Sequence, residues 1–113
     1  MKQYTNELQT AKLIELGFEK PKGIASVEPI YGMGGISVAK AYSIGELLSI
    51  LPSTVGKDYD LHIESSLTEW HVAYYWIGNG GEYYIKYKFS ACELIDALYM
   101  MILKFKEEGV IWR

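Results

Sequence analysis

Only one cysteine, Cys92, occurs in the sequence, so no disulfide can form within the chain. Small secreted domains commonly depend on disulfides, and their absence favours a reducing, cytoplasmic setting. No apolar run approaches the roughly 20 residues that span a bilayer, and the first ten residues lack the apolar core of a signal peptide. We therefore expect a cytoplasmic protein without membrane association.

Positive charge is also scarce, because 11 Lys and Arg residues stand against 14 Asp and Glu residues and leave a net charge of −3. Nucleic-acid-binding proteins usually carry a basic balance, so nucleic acid is the less favoured partner. The two histidines, His62 and His71, both fall in predicted strands, and no Ser–His–Asp arrangement can be argued. We predict no enzymatic activity, no catalytic residues and no cofactor.

The clearest pattern that is present lies near the end of the sequence. Five apolar residues recur there at helical spacing and form one stripe: Leu94, Leu98, Met101, Ile102 and Phe105. Ser90 and Glu93 have the spacing of a capping box, and Gly109 can end a helix in the left-handed conformation. The pattern predicts a long helix over 91–108 whose stripe packs on another surface.

Two shorter helices are predicted before it. The first, at about 6–16, is capped by Thr5 or Asn6. Its short apolar face comprises Leu8, Ala11 and Ile14, with Leu13 and Leu16 beside them. The second, at about 44–51, opens with a capping box that begins at Ser43. Neither helix is long enough to be stable alone, so both must pack on the rest of the domain.

Alternation of apolar and polar residues predicts three strands, at about 59–64, 69–77 and 82–88. The run Gly-Asn-Gly-Gly at 78–81 is typical of a hairpin turn, since its residues accept positive φ. The sequence also allows a short strand at 36–39. Together these elements predict a single α+β domain over 1–113, a two-layer fold with an antiparallel meander under the long terminal helix.

The sequence does not determine the path of the chain over 22–41. Pro29 confines any strand there to a sheet edge or an irregular segment. The glycine-rich stretch 31–35 lacks the GxGxxG and GK[ST] patterns of phosphate-binding loops. We interpret it as a flexible connection or a hairpin turn.

The meander assigns every strand residue to one of two faces. With Val72 opposite Tyr87 and Trp76 opposite Tyr83, the face toward the helix carries the large apolar residues, including Tyr74 and Ile85. The opposite face then carries the candidate binding residues: His62, His71, Tyr75, Tyr84, Lys86 and Lys88. In this register His62 lies beside His71 and Tyr75 beside Tyr84.

Two histidines and two carboxylates, Glu64 and Glu69, share this outer patch, and transition metals use such ligands. However, Lys88 falls next to His71 and would repel a cation, and no recognised ligand spacing is present. We therefore favour a solvated face over a metal site here, and a metal-dependent function at His62 and His71 is the third hypothesis.

The aromatic and basic row of Tyr75, Tyr84, Lys86 and Lys88 has two further interpretations. Exposed aromatic rings on a sheet can stack on bases while lysines contact phosphates. Alternatively, the tyrosines pair across strands for stability, or the face is covered by the N-terminal half of the chain or by a second subunit. The negative net charge favours cover over nucleic acid.

Three segments of the sequence resemble one group of proteins. They read TAKLIELGFEKP at 10–21, YSIGELLSILP at 42–52 and ELIDALYMMILKFKEEG at 93–109. Together they are similar to small uncharacterised proteins encoded in prophages and mobile elements of gut bacteria. The resemblance covers about a third of the chain and implies a bacterial or phage cytoplasmic setting. Because the matched residues are mainly caps and core positions, it implies no chemistry.

The sequence thus favours a small non-enzymatic protein that binds another protein or itself. Ten tyrosines and three tryptophans are a surplus for so small a core, and an apolar segment, Val110–Trp112, follows the last helix. Exposed aromatic patches commonly mark protein interfaces. The alternative is a nucleic-acid-binding accessory protein that uses the aromatic and basic row.

Overall fold

A computed structural model describes residues 1–27, 37–56 and 58–110. The elements in chain order are α1 (Glu7–Glu15), β1 (Gly23–Val27), β2 (Ser37–Ala41), α2 (Ile44–Ile50), β3 (Thr54–Val55), β4 (Tyr59–Ser65), β5 (Trp70–Ile77), β6 (Tyr83–Ala91) and α3 (Leu94–Glu108). Strands β3–β4–β5–β6 form one antiparallel sheet in chain order, and β1 pairs with β2 in a separate two-stranded sheet. The predicted α+β class, with a meander packed against the terminal helix, is confirmed. The glycine-rich stretch 31–35 lies outside the described residues.

Helix α3 packs on one face of the sheet through the predicted stripe. Leu98, Met101, Ile102 and Phe105 are completely buried. The Phe105 ring lies 5.0 Å from the Tyr74 ring and 4.8 Å from the Tyr87 ring, centroid to centroid. Burying each large apolar side chain stabilises the fold by about 1.5–3 kcal/mol, so this contact is a main source of stability. Gly109 ends the helix with φ +74°, as predicted.

The predicted start of this helix at residue 91 is wrong. Strand β6 continues to Ala91, and α3 begins at Leu94 with Glu93 as an N-cap that makes no side-chain capping bond. Ser90 lies opposite His71 in the sheet, and its hydroxyl bonds to His71 Nδ1 at 2.7 Å. The strand extends because β5 begins at Trp70 and offers pairing partners as far as Ala91. Sheet pairing therefore overrides the local capping signal.

The N-terminal segment is fixed to the start of α3. The Lys2 backbone N–H donates to the Glu93 carboxylate at 2.8 Å, and the Lys2 ammonium lies 3.2 Å from an Asp96 oxygen. The Gln9 amide of α1 donates to the same Asp96 oxygen at 2.8 Å. These contacts join residues about ninety positions apart in sequence, so α1 docks through the last helix.

Helix α1 turns a different face inward from the one predicted. Asn6 and Gln9 form its capping box, but the buried residues are Thr10 and Leu13, whereas Leu8 is 83% exposed. Hydrogen bonds select this face. The Thr10 hydroxyl lies 2.7 Å from the Thr5 hydroxyl, and the Thr5 hydroxyl accepts from the Tyr42 backbone N–H. Helix α2 begins as predicted, with the reciprocal capping box of Ser43 and Glu46.

The β4–β5 pairing is shifted by two residues from the predicted register. Ile63 lies opposite Val72, and Ser65 lies opposite Trp70. An even shift keeps each residue on its predicted face, since side chains alternate with a period of two. Leu61 and Ile63 consequently still pack against the core, as predicted.

The β5–β6 hairpin differs more, because its turn is one residue shorter than predicted. The Gly78 N–H donates to the Glu82 carbonyl at 2.8 Å, which leaves a loop of residues 79–81 with Gly81 at φ +85°. Near the turn, Trp76 lies opposite Tyr84 and Ile77 opposite Tyr83, so the predicted Trp76–Tyr83 pair is wrong. A β-bulge then leaves Lys86 as an extra residue. Beyond it, Tyr87 and Phe89 return to the helix side.

Candidate binding surfaces on the sheet

The six candidate residues do not share one face. His62, His71, Tyr75 and Lys88 lie on the outer face, which we define as the sheet face opposite α3. Tyr84 lies opposite Trp76, and their rings stack at 4.8 Å on the helix side. The Lys86 ammonium lies 5.3 Å from the centroid of the Tyr59 ring, on that same side. The predicted aromatic and basic row is therefore divided between two faces by the bulge.

The outer face has a regular arrangement of three rows across β4, β5 and β6. The rows are Asp60, Tyr75 and Ile85; His62, Ala73 and Lys88; and Glu64, His71 and Ser90. His62 and His71 are consequently diagonal neighbours and not direct partners. Glu69 precedes β5, where its backbone bonds to Ser66 in the β4–β5 turn. The predicted pairing of Glu64 with Glu69 is therefore wrong.

The middle of the outer face is an open groove of about 480 Å³. Its floor is Ala73, a small residue that is 93% buried by its larger neighbours. The Tyr75 ring stacks on the His62 ring at 3.7 Å with an interplanar angle of 16°. The Tyr75 hydroxyl donates to Glu64 Oε1 at 3.3 Å. Loss of hydration and the nearby Glu64 carboxylate raise the pKa of Tyr75, so this hydroxyl stays a donor at neutral pH.

The Ser90–His71 contact in the groove is not extended by a bond from His71 to the neighbouring carboxylate. Ser90 and His71 are in hydrogen-bond contact, but Glu64, opposite His71 in the sheet, bonds to Tyr75. Across residues 1–27, 37–56 and 58–110, no three His, Cys, Asp or Glu side chains come together in a way that could hold a metal ion. What the groove offers is a lysine, a histidine edge and aromatic walls.

A second surface lies at the end of the β5–β6 hairpin, beyond the bulge. We name it the hairpin tip, and it comprises Trp76, Ile77, Tyr83, Tyr84 and Ile85. These five side chains are between 39% and 66% exposed. Helix α3 ends near Tyr87 and Phe105, before it reaches the tip. The tip therefore presents large apolar side chains on both faces of a projecting hairpin.

Sequence reasoning missed the hairpin tip, because it assigned Trp76, Tyr83 and Ile85 to the core. The Gly-Asn-Gly-Gly run is compatible with more than one loop length, and a change of one residue exchanges the faces. The sequence gives no local signal of the bulge, because Tyr83, Ile85 and Tyr87 keep a regular alternation through it.

A further cavity of about 440 Å³ lies between the end of α1 and α2. The Tyr42 hydroxyl donates to the Glu19 carbonyl, and the Lys22 backbone N–H donates to the Glu46 carboxylate at 3.1 Å. Loss of hydration is the main reason that the pKa of Tyr42 is raised. These contacts hold the chain after α1 against α2 and explain the polar groups there as structural.

Comparison with known proteins adds no relative: no family model, curated protein or solved structure matches the chain. Among the described helices, none combines the length and the apolar character needed to cross a bilayer. Function is therefore inferred from the groove on the outer face and from the hairpin tip.

Proposed function

We propose that this protein is a non-enzymatic binding module that self-associates through the hairpin tip. The observation that carries the proposal is the exposure of five large apolar side chains together at the end of one hairpin. Single exposed apolar residues are common on monomers, but contiguous patches usually mark interfaces. Aromatic residues are also enriched at the centres of interfaces.

Strand β6 also forms an edge of the four-stranded sheet, which exposes its backbone to a further strand. Bulges and lysines protect edge strands from pairing, and β6 has both at Lys86. The segment before the bulge, Tyr83–Ile85, has neither. Along β6, the tip is therefore the segment least protected against antiparallel pairing with a second copy, and the bulge at Lys86 marks the end of that pairing.

The charges at the tip favour one such pairing. Glu82 lies just before β6, and Tyr84 and Lys86 of the strand follow it at every second position. A two-fold axis at Tyr84 sets Glu82 opposite Lys86 of the partner subunit and Tyr83 opposite Ile85 of the partner subunit. Two cross-strand ion pairs would form, and opposite charges in such positions stabilise a sheet. An axis at Lys86 would instead set two lysines against each other.

A charge exchange tests this arrangement. In light scattering coupled to size exclusion, over a wide range of concentration, we expect a concentration-dependent dimer. Glu82→Lys and Lys86→Glu each create like-charge pairs, and each should weaken the dimer about three- to tenfold, while the double variant restores it. The matched control is Lys88→Glu, which makes the same change of charge on the outer face and should leave association unchanged.

Two outcomes would contradict the proposal. A wild-type protein that remains monomeric at every concentration removes self-association. If the dimer forms but the double variant behaves like the sum of the two single variants, another surface mediates association.

The alternative function, binding of nucleic acid by an aromatic and basic row, has lost its common surface. It needs Tyr75, Tyr84, Lys86 and Lys88 on one face, and the bulge separates Tyr84 and Lys86 from the other two. A cytoplasmic, phage-type setting stays part of the proposal, and it is supported by the single cysteine and by the resemblance of the helices to prophage-encoded proteins.

A further inference from the structure

The groove on the outer face has features of a small-ligand site, and it shares Tyr83 and Ile85 with the hairpin tip. Its volume of about 480 Å³ falls within the roughly 300–1,000 Å³ of such sites. Ala73 forms a low floor between His62 on one side and Lys88 on the other. A larger residue at position 73 would fill this space.

The walls of the groove are unequal. On the β4 side, the stacked rings of His62 and Tyr75 are held in place by the bond from Tyr75 to Glu64. On the β6 side, Tyr83 meets Tyr75 edge to face at 5.5 Å. The aromatic groups thus crowd toward β4 and the turn, which leaves the floor open beside Lys88.

Lys88 supplies the positive charge of the groove. Among the described residues, no carboxylate lies within ion-pair distance of its ammonium group, whereas Lys2 and Lys104 both have acidic partners. Next to it, His71 uses Nδ1 for the contact with Ser90, and its Nε2 is left for a ligand. When the Ser90 hydroxyl donates to Nδ1, the neutral ring carries its proton on Nε2 and is a second donor.

We propose that the groove binds a small planar aromatic molecule that carries one phosphate or carboxylate group. The anionic group contacts Lys88 and His71, and the ring lies over Ala73 against Tyr75 and Tyr83. The Glu64 carboxylate also borders the groove and bonds to the Tyr75 hydroxyl on the β4 side, so Lys88 on β6 must supply most of the attraction for the anion. This inference does not rest on self-association, because the anion contacts Lys88 and His71, which lie outside the hairpin tip.

The bulge provides a matched pair of variants for the test. Lys86 and Lys88 are two residues apart on the same strand, but only Lys88 borders the groove. Lys88→Met and Lys86→Met make the same change in side-chain shape and in net charge. Both residues are exposed, so neither variant should prevent folding.

The experiment is a titration followed by the NMR signals of the protein, with four ligands. Adenosine monophosphate and indole-3-acetate carry a ring with an anion, adenosine carries the ring alone, and inorganic phosphate carries the anion alone. We expect one or both of the first two to bind at least about tenfold more tightly than the last two, because ring and anion contacts combine. The arm that binds identifies phosphate or carboxylate as the anion.

Lys88→Met should then reduce binding about tenfold or more, and Lys86→Met should leave it unchanged. Ala73→Leu fills the floor and should abolish binding without changing Lys88. The proposal is overturned if neither aromatic anion binds, or if the two lysine variants lose affinity equally. It is also overturned if a single-stranded oligonucleotide binds while adenosine monophosphate does not, since the face is then a nucleic-acid interface.

Discussion

The β5–β6 hairpin has two halves of similar composition and opposite fate. On the α3 side of the bulge, Val72 and Tyr74 are completely buried. On the turn side of the bulge, the side chains of Trp76 and Ile77 are 39% and 50% exposed. Both halves alternate aromatic and aliphatic residues, so hydrophobicity alone does not determine burial. The length of α3, which ends near Tyr87 and Phe105, determines where the core stops.

The strongest way to break this comparison is to delete one residue on each side of the boundary. Removing Lys88 displaces β6 by one position in the core half, which turns Tyr87 or Phe89 toward solvent. We expect the free energy of unfolding to fall by several kcal/mol, which is a large part of the roughly 5–15 kcal/mol that stabilises a typical domain. Removing Lys86 should instead heal the bulge, because Ile85 and Tyr87 already face consecutive residues of β5. Urea unfolding of both deletions measures the difference.

Truncation of one aromatic residue in each half is the next test. Phe105→Ala removes a fully buried ring that contacts Tyr74 and Tyr87, and should cost about 3–5 kcal/mol of unfolding free energy. Tyr84→Ala removes the stacking on Trp76 and a bond of 3.3 Å to the Glu82 carboxylate at the exposed tip, and should cost about 1 kcal/mol. Equal losses in chemical denaturation would mean that the tip is part of the core.

Alkaline pH sharpens the contrast between tyrosines. Tyr74 is completely buried, its hydroxyl donates to the Pro52 carbonyl at 2.6 Å, and burial raises its pKa well above the ordinary value of 10.0. The folded state therefore keeps this proton while the unfolded chain loses it, so stability is full below pH 10 and falls as the pH rises above it. Thermal unfolding across this range should show the fall, and Tyr74→Phe should reduce it.

The smallest effect is expected at the caps, which lie outside both halves. Ser43→Ala removes the acceptor for the Glu46 backbone N–H at the start of α2 and should cost about 1 kcal/mol. Leu8→Gln, on the exposed side of α1, should change unfolding free energy by less than about 0.5 kcal/mol. A large loss from Leu8→Gln would show that α1 buries the face predicted from its sequence.

The sequence was sufficient for the elements that depend on local signals. The α3 stripe, the Gly109 cap and the Ser43 capping box can all be derived from spacing alone. Features set by competition between local and distant contacts could not be derived. Ser90 caps a helix in isolation, but in the fold it pairs with His71. The turn at 79–81 and the bulge at Lys86 depend on loop length, which the glycines leave open, and the division of the candidate site follows from them.

The contacts that join Lys2 and Gln9 to Asp96 of α3 affect the order of folding. Helix α1 is synthesised before α3, and the Asp96 carboxylate that holds Lys2 and Gln9 follows these residues by about ninety positions. The segment of Lys2 and Gln9 therefore cannot dock until α3 has been synthesised. Contacts of such long range form slowly. A variant lacking the Asp96 carboxylate should therefore fold without these contacts, and α1 should be the first part of it to fray.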